Sequence, residues 1–301
     1  MRRERVAVAV ALVALGAAVA GPGCSGDSGC TEKRRVNGPQ DVTAPKDPAE
    51  AASSLARVER SLRDPGTRPT DVDRLGWEQQ DAYRALSKHP EWVEDVVARL
   101  PADLQPIVTA NERAGRELAD LGGDGAPPQH LPDWQIVAPP PADVLRAYYG
   151  EAEAVSGIPW AYFASIHLVE TKIGRIRGAS SAGAQGPMQF IPATWEQYGQ
   201  GDINDNRDAI LAAARLLRAN GAPEDMSRAL YRYNNSNSYV NAVDSYAQLM
   251  LADERAFLGY RAWQVYYATT EGTFVLPEGY PAEVAHKVTA SPASRRSRRA
   301  P

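Results

Sequence analysis

The run PWAYFASIHLVETKIG, residues 159–174, and the stretch after it, RIRGASSAGAQGPMQFIPATW, residues 175–195, decide how this chain reads. Pro159 suits the first turn of a helix and Gly174 suits its C-terminal cap. From Trp160 to Val169 only Ser165 and His167 are clearly polar. A helix apolar nearly all round is expected to be buried at the centre of a fold. Glu170 follows Phe163, Ile166 and His167 by seven, four and three residues and so falls on their stripe. A carboxyl on such a stripe is either paired with donors or kept partly protonated by desolvation. The second state is what a general acid needs near neutrality. The first is a structural Glu satisfied by backbone donors, and the helix alone does not choose between them.

The residues that follow favour chemistry. Ser180-Ser181-Ala182-Gly183-Ala184-Gln185-Gly186 has almost no side-chain bulk, so a sugar ring could approach the backbone and meet its N–H groups. Pro187-Met188-Gln189-Phe190-Ile191-Pro192 turns the chain, and a helix is expected from about Thr194. Gln189 offers both a donor and an acceptor. Further on, Tyr231-Arg232-Tyr233-Asn234-Asn235-Ser236 sets phenols beside two amides, and Tyr239 follows about a turn later. Sugar sites use aromatic faces for stacking and amides for hydroxyl groups.

Taken together, Glu170-Thr171, then Ser180-x-x-Gly183-Ala184-x-Gly186-x-Met188-Gln189-Phe190-x-Pro192-x-Thr194-Trp195, then Tyr233-Asn234, resembles the soluble lytic transglycosylase family of lysozyme-like bacterial enzymes. The resemblance runs from about Tyr148 to Met250. It implies an all-α, lysozyme-like catalytic domain that cleaves the β-1,4 bond between N-acetylmuramic acid and N-acetylglucosamine in peptidoglycan. It implies Glu170 as the sole catalytic acid/base. By position in the pattern, Ser180 would orient Glu170, and Met188 and Gln189 would line the glycan cleft. Tyr233 would hydrogen-bond near Glu170, Asn234 would hold the acetamido region, and Tyr239 would close the cleft. The chain departs from the pattern at Thr171, where Ser is common, at Pro187, where Leu is common, and at Arg232-Tyr233-Asn234-Asn235-Ser236, in place of Ala-Tyr-Asn-Ala-Gly. The first two departures, with Phe190 and Gly201-Asp202-Ile203-Asn204, lean toward the membrane-bound-B-like branch.

A standard glycosidase flanks the scissile bond with two acids, and one stands in the motif. The 2-acetamido oxygen of muramic acid would then act as the second group, and the product would carry a 1,6-anhydro ring. Entry of water would instead make the enzyme a hydrolytic muramidase, and a catalytically idle glycan-binding scaffold is a further reading. No cofactor is expected. Asp202, Asn204, Asp205, Asn206 and Asp208 hint at a calcium loop, but the loop glycine is missing and Ala213 stands where the last ligand Glu belongs. A turn and a cap for a helix over 209–219 is the better reading, and no metal site is expected. His167 and Glu170 form a single His-x-x-Glu pair with no partner pair in view, so His167 is read as a core histidine.

Around this block the chain is 301 residues long, 44% hydrophobic and 23% charged, with a net charge of −4. Arg2, Arg3 and Arg5 precede the small-apolar run Val6 to Ala20, which is the pattern of a signal peptide rather than of a membrane span. Cleavage after Ala20 and cleavage before Cys24, whose thiol would then carry lipid, both fit. The second is preferred, although Gly21 and Pro22 depart from the usual lipobox. Either places the protein outside the cytoplasm, secreted or lipid-anchored at the outer face of the membrane. Removing residues 1–24 takes 3 of the 33 basic residues and 1 of the 37 acidic ones, leaving a net of −6. Arg295, Arg296, Arg298 and Arg299 crowd the C-terminus, so the body is more acidic still, which argues against an electrostatic grip on anionic polymers such as nucleic acid; the partner the resemblance implies is peptidoglycan strands. Cys24 and Cys30 are the two cysteines, and no disulfide framework holds the fold.

The reading divides the chain into a signal segment (1–24), a flexible leader (25–46), an N-terminal helical region (47–121), a Pro/Gly-rich linker (122–141), a helical catalytic domain (142–270) and a C-terminal extended segment with a basic tail (271–301). Asp47-Pro48 starts a first helix with Ala51, Leu55, Val58 and Leu62 inward. Trp134, Ile136 and Val137 in the linker imply that it packs on something, because a purely solvated linker would not carry them.

Overall fold

The computed structural model describes residues 42–122 and 125–288. The signal segment, Cys24, Cys30, most of the expected leader and the arginine-rich tail lie outside the described residues. The fold is mainly helical, with eleven α-helices and five short strands among the described residues.

The N-terminal region forms α1 (Pro48–Arg63), α2 (Pro69–Lys88), α3 (Val93–Arg99) and α4 (Gln105–Asp120). Asp47 caps α1, its Oδ1 accepting from the Glu50 N–H at 2.8 Å, and Ala51, Leu55, Val58 and Leu62 are fully buried, as their spacing requires. The fourth helix opens four residues later than the proline at 101 suggests, because Pro101 to Leu104 closes a turn of its own. Gly76, which weakens α2 locally, is required by packing. A Cβ there would sit 2.6 Å from the Ala262 Cβ and 2.7 Å from the Gly259 carbonyl oxygen. Both belong to α11 (Ala256–Ala262), so the two helices touch backbone to backbone.

The remaining helices are α5 (Ala142–Ser156), α6 (Trp160–Thr171), α7 (Pro192–Tyr198), α8 (Asn206–Ala219), α9 (Met226–Tyr233) and α10 (Asn237–Ala252). All of α6 is buried, from Trp160 to Thr171, with α5, α8, α10 and α11 around it. It is the central helix its composition demands. One apolar core runs through both helical regions, joining Leu55, Leu86 and Val108 to Phe163, Ile166 and Tyr246. A buried polar network joins them as well. Glu59 on α1 accepts from Gln79 Nε2 at 3.0 Å, from the Tyr83 hydroxyl and from Arg63, and Gln79 Oε1 accepts from Trp263 Nε1 at 3.0 Å.

The expectation of an unbroken helical block over 142–270 is corrected at its end. Val265–Thr269 is strand β3, paired antiparallel with β4 (Gly272–Leu276), which pairs in turn with β5 (His286–Lys287). The β-branched and aromatic residues of VYYAT fit a half-buried pleated surface better than a helix. The segment before α5 is built into the fold. Its β1 (Gln135–Ile136) pairs with β2 (Ile176–Arg177), while Ile136 N–H and C=O bond Tyr280 and Gly279. Arg261 donates to the carbonyls of Pro140 at 2.9 Å and Pro139 at 3.3 Å. Ile136, Ile176, Val265 and Leu276 form a second small core, with Trp134, Tyr267 and Phe274 packed on it.

Candidate active site

Glu170 ends the buried helix. It is 1% exposed and lies one residue before the C-terminus of α6, where the helix dipole disfavours an anion. Burial pushes its carboxyl up to about 8, against a hydrogen bond from Tyr239 and the charge of Lys172, both of which favour the carboxylate. The Tyr239 hydroxyl donates to Oε1 at 2.8 Å. Oε2 has no hydrogen-bond partner among the described residues. Glu170 is in no ion pair among them either. At neutral pH this side chain is mainly a neutral acid, held at one oxygen.

The chain leaves α6 through three successive left-handed residues: Lys172 at φ 53°, Ile173 at φ 60° and Gly174 at φ 76°. Ile is β-branched and strained in that region, at a cost of about 1–3 kcal/mol. Hydrogen bonds hold the turn: Lys172 N–H to Leu168 C=O at 3.1 Å and Ile173 N–H to His167 C=O at 3.0 Å. Thr171 completes it. Its hydroxyl accepts from Gly174 N–H at 3.0 Å and donates to Pro187 C=O at 2.6 Å, which ties the helix end to the loop ahead. Burial also pulls the Lys172 ammonium down, with Glu170 opposing. Thr171 stands in the motif beside the acid, whereas Lys172 does not stand out in the sequence beyond its adjacency to it.

The loop over 178–190 is closed on itself. Ser180 Oγ accepts from Ala184 N–H at 3.0 Å and Ala182 N–H at 3.3 Å. No hydrogen bond joins it to Glu170, so the structure gives Ser180 a loop-forming place rather than the expected contact. Gln185 and Phe190 exchange two backbone hydrogen bonds of 2.9 Å. Gly186 sits at φ 73°, and a Cβ there would lie 1.9 Å from the Ile203 carbonyl oxygen. The loop therefore rests directly on the 201–204 backbone. Gln189, at φ 50°, turns its amide back to donate to Gly186 C=O at 2.9 Å. Met188 is fully buried, and its carbonyl accepts from the Tyr233 hydroxyl at 2.7 Å.

Tyr233 hydrogen-bonds Met188 C=O beside the acid, and the direct bond to Glu170 comes from Tyr239. Tyr239, not Tyr233, bonds Glu170, and Tyr239 is fully buried rather than closing a cleft. Tyr233 stacks on it with ring centres 6.2 Å apart and planes 6° from parallel. Ser236 sets this geometry by capping α10, its Oγ accepting from Tyr239 N–H at 3.4 Å, so Tyr239 falls in the first turn facing α6. Asn234 is 6% exposed, and its Nδ2 has no partner among the described residues. Among the described residues the site thus holds two buried polar atoms without hydrogen-bond partners, the Glu170 Oε2 and the Asn234 Nδ2.

His167 is a core residue. Tyr149 hydroxyl and His167 Nδ1 are 2.8 Å apart, and burial pulls the imidazole down to about 3, so it is neutral. The aspartates of 202–208 are engaged with backbone. Asp205 caps α8 through Asp208 N–H, Asp208 accepts from Asp202 N–H at 2.9 Å, and Asp202 accepts from Asn204 N–H at 2.8 Å. Among the described residues no cluster of three or more His, Cys, Asp or Glu side chains could hold a metal.

About half of the chain is similar to a bacterial wall enzyme. Over 161 residues, 51% of this chain, it is 26% identical to the membrane-bound lytic murein transglycosylase F of Thiobacillus denitrificans. The chain spans 32% of that relative's length. No family model matches the chain. No solved structure matches it.

Proposed function

We propose that this protein is a peptidoglycan lytic transglycosylase that cleaves the N-acetylmuramic acid–β-1,4–N-acetylglucosamine bond with Glu170 as its one acid/base. The observation that carries this is the state of Glu170: a buried carboxyl raised to about 8, bonded at one oxygen by Tyr239 and without a protein partner at the other. The similarity to a lytic murein transglycosylase supports the same substrate class. The leaning to the membrane-bound-B-like branch rests on the motifs at Thr171, Pro187, Phe190 and Gly201-Asp202-Ile203-Asn204 alone.

Glu170 gives its proton to the leaving O4 as the C1–O4 bond breaks, while the muramic 2-acetamido oxygen attacks C1 and forms an oxazoline-type ring. Glu170, now a carboxylate stabilised by Tyr239, takes the proton from the C6 hydroxyl. O6 then attacks C1, reopens the acetamido group and closes the 1,6-anhydro ring. Atoms balance without water. Asn234 is the donor for the acetamido region, and Met188 and Gln189 shape the wall of the cleft.

Purified peptidoglycan is the test. Wild type is expected to release anhydro muropeptides, and Glu170→Gln none. Products heavier by one water would make the enzyme a hydrolytic muramidase. Digestion undiminished by Glu170→Gln would leave the acid assignment without support. Such a substrate places the protein outside the cytoplasm, and no described helix is long and apolar enough to cross a membrane. The signal segment and a lipid anchor at Cys24 belong to this proposal.

A further inference from the structure

The segment before α5 brings a tryptophan to the edge of the candidate site. Trp134 precedes β1, and the pairing of Gln135 and Ile136 with Arg177 and Ile176 delivers it to the start of the loop at 178. A Cβ at Gly178 would lie 2.6 Å from Trp134 Cδ1, so the indole edge sits directly on that glycine. Tyr267 of β3 meets the indole edge to face, with ring centres 5.4 Å apart and planes at 87°. Both rings are half-buried. The indole N–H has no protein acceptor among the described residues. The same glycine also accepts from Gln189 Nε2, at 3.5 Å to its C=O. From there the contacts run through the adjacent Met188, whose carbonyl holds Tyr233, to Tyr239 and Glu170.

We propose that Trp134, braced by Tyr267 and seated on Gly178, is a sugar-stacking platform that extends the glycan groove past the 178–190 loop. The proposal rests on the reading of Glu170 as a glycan-cleaving acid. The chemistry suits a β-1,4 pyranose strand. Such rings present flat C–H faces to an aromatic plane and hydroxyl oxygens to an indole N–H, and a Trp held by a neighbouring ring loses little freedom on binding. A segment that looks like a tether is then a wall of the groove. Its anchoring by Arg261 and by the Ile136 backbone bonds gives the indole a defined orientation.

Binding is measured by co-sedimentation with peptide-free peptidoglycan strands in the Glu170→Gln protein, which reads affinity without turnover. Trp134→Leu keeps apolar bulk on Gly178 and Tyr267 but loses the flat ring, and is expected to weaken binding about tenfold. Trp134→Phe keeps a ring and is expected to stay within about threefold of the parent, which also controls for a folding defect. With Glu170 intact, the loss in Trp134→Leu should fall on KM rather than kcat and should grow with strand length. Equal binding by Trp134→Leu and its parent overturns the platform, and so does equal weakening by Leu and Phe, which marks a packing role. Weaker binding in Trp134→Leu, in a protein whose wild type releases no glycan product, keeps the platform and removes the chemistry assigned to Glu170. A parent that does not bind the strands at all removes both.

Discussion

The Tyr239 hydroxyl donates to Glu170 Oε1 across 69 positions of sequence, at 2.8 Å and with both side chains buried. That bond favours the carboxylate, while burial and the helix C-terminus favour the acid. The balance leaves a group that can give a proton near neutrality and take one back.

Tyr239→Phe removes the donor and keeps the ring that stacks on Tyr233. The Glu170 pKa should rise further, by about 1–2 pH units for a lost bond to a charged group. The basic limb of the kcat/KM profile, set near pH 8 in wild type by loss of the acid proton, should move up with it. A weaker acid should slow proton donation to the leaving O4, so kcat should fall. A pH–rate series on wall fragments checks both.

Glu170 also makes stability depend on pH. Its folded pKa of about 8 lies above the usual glutamate value of 4.5, so the folded state holds the proton more tightly than the unfolded chain. Stability is full below about pH 4.5, falls as pH rises toward 8, and levels off beyond, for a total of about 5 kcal/mol as an upper bound. Glu170→Gln has no such loss. Its melting temperature should exceed that of wild type by a margin that widens between pH 5 and pH 8, and a constant margin would contradict the raised pKa.

Gly186→Ala should disable the loop. The new methyl would meet the Ile203 carbonyl at 1.9 Å in a left-handed conformation. Relief requires parting the 178–190 loop from the 201–204 backbone, at a cost of about 3 kcal/mol. Denaturant melts and wall digestion should both show the loss.

Glu59→Ala tests whether the N-terminal helices are part of the same folding unit. The change leaves Arg63, Tyr83 and Gln79 without their shared acceptor. A loss of about 3–5 kcal/mol is expected. It should lower one cooperative transition that includes α6 and α10, read by far-UV and near-UV signals together. Two separate transitions would show that the regions fold independently.

A buried helix within 159–174, its proline start and the position of Glu170 on its apolar stripe were legible in the sequence, and so were the capping of α1 by Asp47 and a cap within 202–208 for α8, although α8 opens at Asn206, three residues before the expected 209. Each depends on neighbours within a few positions, where periodicity and capping chemistry act directly. The bulk-free loop at 180–186 was legible for the same reason. Its contact with Ile203 was not, because a glycine gives no sign of what it must avoid.

Composition and local spacing thus fixed a central helix, an acid at its end and two phenols nearby as candidates. Which phenol holds the acid depended on how the first turn of α10 packs against α6. The strand at 265–269 emerged because its partner at 272–276 was there to pair with it. The proline-rich segment is anchored to the fold because β2 and Tyr280 accept its backbone hydrogen bonds, and Gly76 found its purpose in α11. In each case the deciding contact lies with a different element of the fold. A side chain's neighbours along the chain limit what it can do, and burial by distant neighbours selects which of those things it does.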